Sequence, residues 1–259
     1  MEISFKADLQ KLRASLDEVS QRQIPFATVL ALNEVARQAQ REVNQQMSRS
    51  FNRPTPFTLT ATWVRRANKT TLQAEVLLKD ESFKSTPATK WLAPEVYGGV
   101  RPFKRYELAL HRAGILPTGM FTVPGQGAKL DGYGNMSRGQ LIQILAWFRA
   151  FAETGHHANT TDKGRQRLSK GSTARAKKYR PPTSYFAVGR EGRGGRQPGI
   201  YLRRGRAHEA PVTCVLLFVK RFGYRVRLPF HETVERTAKV GFEAAFELGM
   251  ARAMSTARG

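Results

Sequence analysis

The sequence is poor in cysteine, in long apolar runs and in acidic residues. Its single cysteine, Cys214, excludes an intramolecular disulfide framework and any zinc site built from several cysteines. The longest apolar run, 212–219, is far shorter than the roughly 20 residues of a membrane-spanning helix. The N-terminus carries acidic residues and no apolar segment of the secretory type. We therefore predict synthesis in a cytosol and no membrane partner.

Sequence patterns that mark catalytic and cofactor sites are also missing. His231-Glu232 begins like a zinc-protease helix, but Glu235 stands where the second histidine is required. The segment 125–129 lacks the Gly-Lys-Ser/Thr ending of a phosphate-binding loop, and the glycines of 189–196 follow no βαβ unit. There is no G-x-S-x-G elbow and no compact acidic cluster for two metal ions. We predict a protein that is not an enzyme and uses no cofactor or metal.

The chain has an excess of positive charge. Its 43 Lys and Arg against 20 Asp and Glu give a net charge of +23, which favours binding to polyanions. Much of the excess lies between Lys163 and Arg206, where Glu191 is the single acidic residue. The candidate DNA- or partner-facing residues are Lys163, Arg165, Arg167, Lys170, Arg175, Lys177, Lys178, Arg180, Arg193, Arg196, Arg203, Arg204 and Arg206. Two uses remain open: contact with phosphates without sequence specificity, or contact with acidic surfaces of neighbouring subunits.

Apolar residues spaced by three and four predict two long helices. The first begins near Pro25 and ends before the prolines of 51–56, with polar residues such as Asn33 and Gln40 facing water. The second runs from about Pro229 to Met254. Its small residues recur every four positions and form a candidate close-packing face: Gly241, Ala245, Gly249 and Ala253. Packing within the chain is the ordinary reason for such a face, and a subunit contact is the alternative.

Alternating and continuous apolar patterns predict the strands. The segments 58–67 and 71–79 form a predicted hairpin. The run 212–220 is apolar enough to be a central strand buried on both faces, and 224–228 is its predicted partner. Between these parts, glycines predict irregular structure over 114–139.

The basic region has its own predicted organisation. The segment 155–182 is predicted to be an exposed, mobile insertion, because its few large aliphatic residues cannot bury enough surface to order it. Short strands are predicted at 184–188 and 200–202. The resulting fold is α+β, with long N-terminal and C-terminal helices packed on a mostly antiparallel sheet and a basic loop-rich insertion. Residues 1–153 form the N-terminal part of the core, 154–199 the insertion, and 200–259 complete the core.

Five stretches follow one another in a recognisable order. They are Phe51-Asn-Arg-Pro-Thr-Pro56 after the first helix, then 117–125, 131–140, 198–205 and 215–220 before the last helix. In this order they resemble tailed-phage and prophage proteins of the minor tail protein Z, or tail-completion, family.

The resemblance implies a non-enzymatic virion structural protein at the head–tail neck, made in the host bacterial cytoplasm. Such a protein forms an oligomeric ring around the DNA channel and completes the tail. Its expected partners are other virion proteins of the neck and tail, further copies of itself and the backbone of the packaged DNA. The alternative, which follows from charge alone, is a cytosolic protein that binds nucleic acid without sequence specificity.

Overall fold

The chain has an α+β fold composed of two compact units. The computed structural model describes residues 19–81, 86–151, 159–172, 181–189, 195–205 and 210–256. Helices and antiparallel sheets occupy separate stretches of these residues, which confirms the predicted fold class. The terminal unit joins Met1–Gly98 to Tyr224–Gly259, and the inserted unit is Gly99–Gly223. The predicted division at 153 and 199 does not coincide with these units, because the basic region supplies strands to the inserted sheet.

The elements follow in chain order, beginning with a single π-helical turn, Val19–Gln23. The helices are α1 (Ile24–Ser50), α2 (Pro56–Leu59), α3 (Ala88–Tyr97), α4 (Arg105–Arg112), α5 (Arg138–Trp147), α6 (Asp162–Lys170) and α7 (Phe230–Thr256). The strands are β1 (Thr62–Arg65), β2 (Glu75–Leu78), β3 (Met120–Pro124), β4 (Thr183–Val188), β5 (Gly199–Arg204) and β6 (Val212–Lys220). Strand β1 pairs with β2, and the second sheet has the order β3-β6-β5-β4, with every pair antiparallel.

In the terminal unit the two long helices pack against each other. A side-chain carbon added at Gly249 of α7 would lie 2.8 Å from the carbonyl oxygen of Ala27 on α1. One added at Gly241 would lie 3.0 Å from the Gln38 side-chain oxygen. The small-residue face of α7 therefore contacts α1 of the same chain, and glycine allows the two backbones to approach closely.

Polar side chains of α1 hold the β1–β2 hairpin on the helix. Asn33 accepts a hydrogen bond from the Ala67 N–H at 2.8 Å and donates one to the Ala67 carbonyl at 3.0 Å. Gln40 donates to the Thr62 carbonyl at 3.1 Å, and the Thr62 hydroxyl donates to Asn44 at 2.8 Å. The prediction that Asn33 and Gln40 only face water is wrong, because the helix has a second contact surface. The hairpin itself is shorter than predicted.

The segment before α7 is irregular. Residues 224–228 were predicted to pair with β6, but they belong to the terminal unit and form no regular strand. The N–H groups of Arg227 and Leu228 instead donate to the Glu95 carbonyl on α3, at 2.9 Å each. The Glu95 carboxylate lies 3.8 Å from the Arg227 guanidinium, too far for a hydrogen bond. Burial raises the pKa of Glu95, and the charge of Arg227 only partly opposes this effect.

The core of the inserted unit includes buried residues from all four strands of the second sheet. Strand β6 lies between β3 and β5, and its neighbouring residues Val215 and Leu216 are both fully buried, as predicted for a central strand. Leu110 from α4 and Ile144 from α5 complete a core in which both are 0% exposed. Strand β3 lies within the segment predicted to be irregular. Gly125 next to it fits against the Cys214 carbonyl, so this glycine permits close strand packing there.

One carboxylate of the inserted unit is completely buried. Both oxygens of Glu107 on α4 accept hydrogen bonds from the Arg101 guanidinium, at 2.7 Å each. The Lys104 N–H donates to Glu107 at 2.7 Å, and the N–H and hydroxyl of Thr122 on β3 donate at 2.9 Å each. Burial by itself would raise the pKa of Glu107, but these hydrogen bonds and the charge of Arg101 outweigh it and lower the pKa. The carboxylate thus joins α4 to β3.

Candidate partner-binding surfaces

Helix α6 arranges four of the predicted basic residues. Its first turn is capped by the Thr161 hydroxyl, which accepts a hydrogen bond from the Gly164 N–H at 3.1 Å. Arg149 lies 2.6 Å from Asp162 in this turn, and its hydrogen bond and charge lower the pKa of Asp162. The prediction of a mobile loop across 155–182 is therefore wrong for 162–170, where a cap and an ion pair support a helix despite the basic composition. The helix carries Lys163, Arg165, Arg167 and Lys170.

The other predicted basic residues fall into two groups. Arg196 precedes β5, and Arg203 and Arg204 end that strand. The remaining six lie outside the described residues: Arg175, Lys177, Lys178, Arg180, Arg193 and Arg206.

A concave surface in the inserted unit brings several cations together. This cationic groove has a volume of about 1100 Å³ and is lined by parts of α5, α6 and β4, together with Lys129. Lys129 and Arg167 line the groove, and Arg204 lines an adjoining recess of about 330 Å³ that shares Lys129 with it. We include this recess in the cationic groove. No Asp or Glu is among the described residues that line either space. The described lining of the groove therefore carries a net positive charge.

Its three cations are not neutralised by the described part of the chain. Over the ranges that the structure describes, Lys129, Arg167 and Arg204 form no ion pair with a carboxylate. All three are exposed. An anionic partner could therefore pair with these groups without displacing a described carboxylate.

Several residues that line the groove are apolar or aromatic. Trp147 at the end of α5 packs edge-to-face against Tyr185 of β4, with ring centroids 5.9 Å apart. Ile142 and Leu168 also line the groove and are 44% and 43% exposed. Burial raises the pKa of Tyr185, and the nearby charge of Arg204 acts in the opposite direction. The groove thus offers apolar contact area next to positive charge.

Alternation along β5 places Arg203 and Arg204 on opposite faces of the sheet. Arg203 lies over the ring of Phe186, 5.5 Å from its centroid, and Phe186 stacks on Tyr201 at 5.5 Å. Arg204 lies on the groove face with Tyr185. These two neighbouring candidate residues therefore belong to two different surfaces.

Sequence reasoning missed several groove residues. In the sequence, Lys129 lies only in a segment that does not match a phosphate-binding loop, and no pattern marks Trp147 or Leu168 as site residues. They lie in three separate stretches of the chain, and only the folded sheet and helices bring them together. No local sequence pattern could have grouped them.

Helix α7 presents a second unusual surface on the side away from α1. Val240 is 79% exposed and Leu248 is 74% exposed, although both are large and apolar. At about 100° per residue, Glu243 and Glu247 fall on the same side of the helix as these two residues. Neither glutamate has an ion pair among the described residues. We call Val240, Glu243, Glu247 and Leu248 the acidic stripe of α7.

The stretches that carry the family resemblance have structural roles here. Asp131 accepts hydrogen bonds from the N–H groups of Tyr133 and Asn135 at 2.9 and 2.8 Å, which shapes the turn before α5. Gly199 lies so close to the Leu216 carbonyl that an added side-chain carbon would be 2.5 Å away. These residues determine backbone geometry in and around the inserted sheet.

Comparison with known proteins gives no match to this chain, whether with family models, curated proteins or solved structures. Among the described residues, no group of three or more His, Cys, Asp or Glu side chains is placed to hold a metal ion. No described helix is both long enough and apolar enough to cross a membrane.

Proposed function

We propose that this protein is a non-enzymatic structural component of a tailed-phage virion, located at the head–tail neck as a ring around the DNA channel. The observation that carries the proposal is the cationic groove, whose Lys129, Arg167 and Arg204 have no carboxylate partner among the described residues. Such a surface binds an anionic neighbour, either DNA or an acidic protein face.

The resemblance supplies the particular assembly. The motif residues Asp131 and Gly199 support turns and close strand packing, which agrees with a family identified by structural motifs. The exposed acidic stripe of α7 adds a second surface suited to contact with another protein.

The test is the location of the chain in mature particles. We expect mass spectrometry of purified virions to detect it, and gold-labelled antibody to mark the head–tail joint in electron micrographs. Its recovery from infected-cell extracts but not from mature particles would refute the proposal.

Cytosolic nucleic-acid binding is the second candidate, favoured by the net charge of +23. It predicts tight binding of DNA or RNA by the purified protein, with affinity that falls steeply as salt rises. Neutralising Lys177, Lys178 and Arg180 together would abolish such binding. A fluorescence anisotropy titration at several salt concentrations measures both effects.

A further inference from the structure

We propose that the cationic groove of one copy of this chain binds the acidic stripe of α7 of a neighbouring copy. The inference rests on the proposed ring, and it identifies the surfaces that join one subunit to the next. The two surfaces differ, so the contact is head-to-tail, which is the type that closes into rings of more than two subunits.

The charges of the two surfaces are complementary. The groove presents Lys129, Arg167 and Arg204 without a carboxylate among its described lining. The stripe presents Glu243 and Glu247 without an ion pair in the described part of the chain. The two surfaces therefore carry opposite charges, and their association would pair the glutamates of the stripe with the basic side chains of the groove.

Both surfaces also combine charge with exposed apolar side chains. Val240 and Leu248 are two helical turns apart on α7, with Glu243 and Glu247 between them. In the groove, Ile142 and Leu168 are more than two-fifths exposed beside the ring of Trp147. An amphipathic helix laid in an apolar groove is a recurring mode of protein recognition.

The same observations favour a protein helix over DNA in the groove. A DNA duplex presents phosphates, which would satisfy Arg167 and Arg204 but would leave the exposed side chains of Ile142 and Leu168 without apolar contact. The acidic stripe of α7 would contact both the basic and the apolar side chains of the groove. The opposite face of the sheet, with Arg203, is separate from this contact.

Cysteine cross-linking between copies tests the contact directly. In a Cys214→Ser background, one preparation carries Leu168→Cys in the groove and the other carries Leu248→Cys in the stripe. We expect a disulfide-linked dimer mainly when the two preparations are mixed under mild oxidation. Each preparation oxidised alone is the control for contact between identical surfaces.

A charge exchange tests the electrostatic part. Glu247→Lys and Arg167→Glu should each lower the yield of the mixed dimer several-fold, and the two together should restore it. Arg203→Glu makes the same charge change on the opposite face and should leave the yield unchanged. Thermal unfolding of each variant verifies that it is folded.

Three outcomes would overturn the inference. One is an absence of mixed dimers, and another is a higher yield from Leu248→Cys alone, which would indicate α7 against α7. The third is that duplex DNA blocks the cross-link and binds with the same dependence on Arg167, which would assign the groove to nucleic acid. None of these depends on where the chain lies in a virion, so a failure here is distinguishable from a failure of the proposed function.

Discussion

The terminal and inserted units are stabilised in different ways. The terminal unit depends on close contact between two helix backbones, in which Gly249 meets Ala27 with no room for a side chain. The inserted unit depends on a sheet core and on a buried carboxylate, Glu107, that is fully hydrogen bonded. The first arrangement is sensitive to added volume, whereas the second is sensitive to lost charge. Single substitutions can therefore disturb either unit selectively.

The largest expected effect is at the buried ion pair. Glu107→Gln keeps the shape of the side chain but removes the buried negative charge that the Arg101 guanidinium binds, which should cost about 3–5 kcal/mol of unfolding free energy. Denaturant unfolding measures the loss, and hydrogen exchange should increase in α4 and β3 before α1 and α7. The control is Glu34→Gln on α1, whose exposed ion pairs contribute less than about 1 kcal/mol. Equal losses in both variants would contradict this account.

The next effect is at the helix contact. Gly249→Ala places a methyl group 2.8 Å from the Ala27 carbonyl, and overpacking of this kind costs about 1–3 kcal/mol. Gly241→Ala is the matched control, since it meets the flexible end of Gln38 and gains about 1 kcal/mol of helix propensity. The melting temperature should fall for the first variant and stay constant or rise for the second. A similar shift in both would show that the two glycines are equivalent.

Each unit has one carboxyl group whose contribution to stability depends on pH, and acidification should change the two contributions in opposite directions. Because the folded-state pKa of Glu107 lies below its usual 4.5, its stabilisation is present above pH 4.5 and is lost as pH falls through the lower folded value. The folded-state pKa of Glu95 is raised, so its contribution is complete below pH 4.5 and is lost as pH rises through the higher folded value.

Glutamine variants measure these two dependences. The stability difference between the original chain and Glu107→Gln should shrink on acidification. As pH rises towards neutrality, the unfolding free energy of Glu95→Gln should increase relative to that of the original chain. Unfolding free energies at several pH values provide both curves, and curves with the same slope would contradict the opposite assignments.

The smallest effect on stability is expected on the outer side of α7. Leu248→Gln changes a side chain that is 74% exposed, so unfolding of the monomer should shift by no more than about 0.5 kcal/mol. Light scattering after gel filtration should nevertheless show weaker self-association if this side chain lies between subunits. Glu232→Gln, near the start of the same helix, is the control for a surface change outside the stripe.

The elements with regular patterns could be predicted from the sequence. The spacing of apolar residues predicted α1 and α7, and the unbroken apolar run predicted β6 as a central strand. Strand β3 was missed because glycines such as Gly125 suggested irregular structure, whereas the structure uses this glycine for contact with the Cys214 backbone. Composition cannot distinguish these two uses of glycine.

The candidate surfaces could be predicted only in part. Positive charge around Arg167 and Arg204 was evident, but their association with Lys129 depends on long-range contacts across the inserted unit. The burial of Glu107 was also invisible, since a glutamate next to basic residues usually indicates a solvated surface. These features arise from tertiary structure, which local patterns do not encode.

The arrangement of the terminal unit has a consequence for synthesis on the ribosome. Helix α1 is translated before Gly99–Gly223, and α7, its main packing partner, is translated only after that unit. The inserted unit is continuous in sequence and can fold while the following segment, Tyr224–Gly259, is still being translated. Until α7 has been translated, the apolar side of α1 lacks this packing partner.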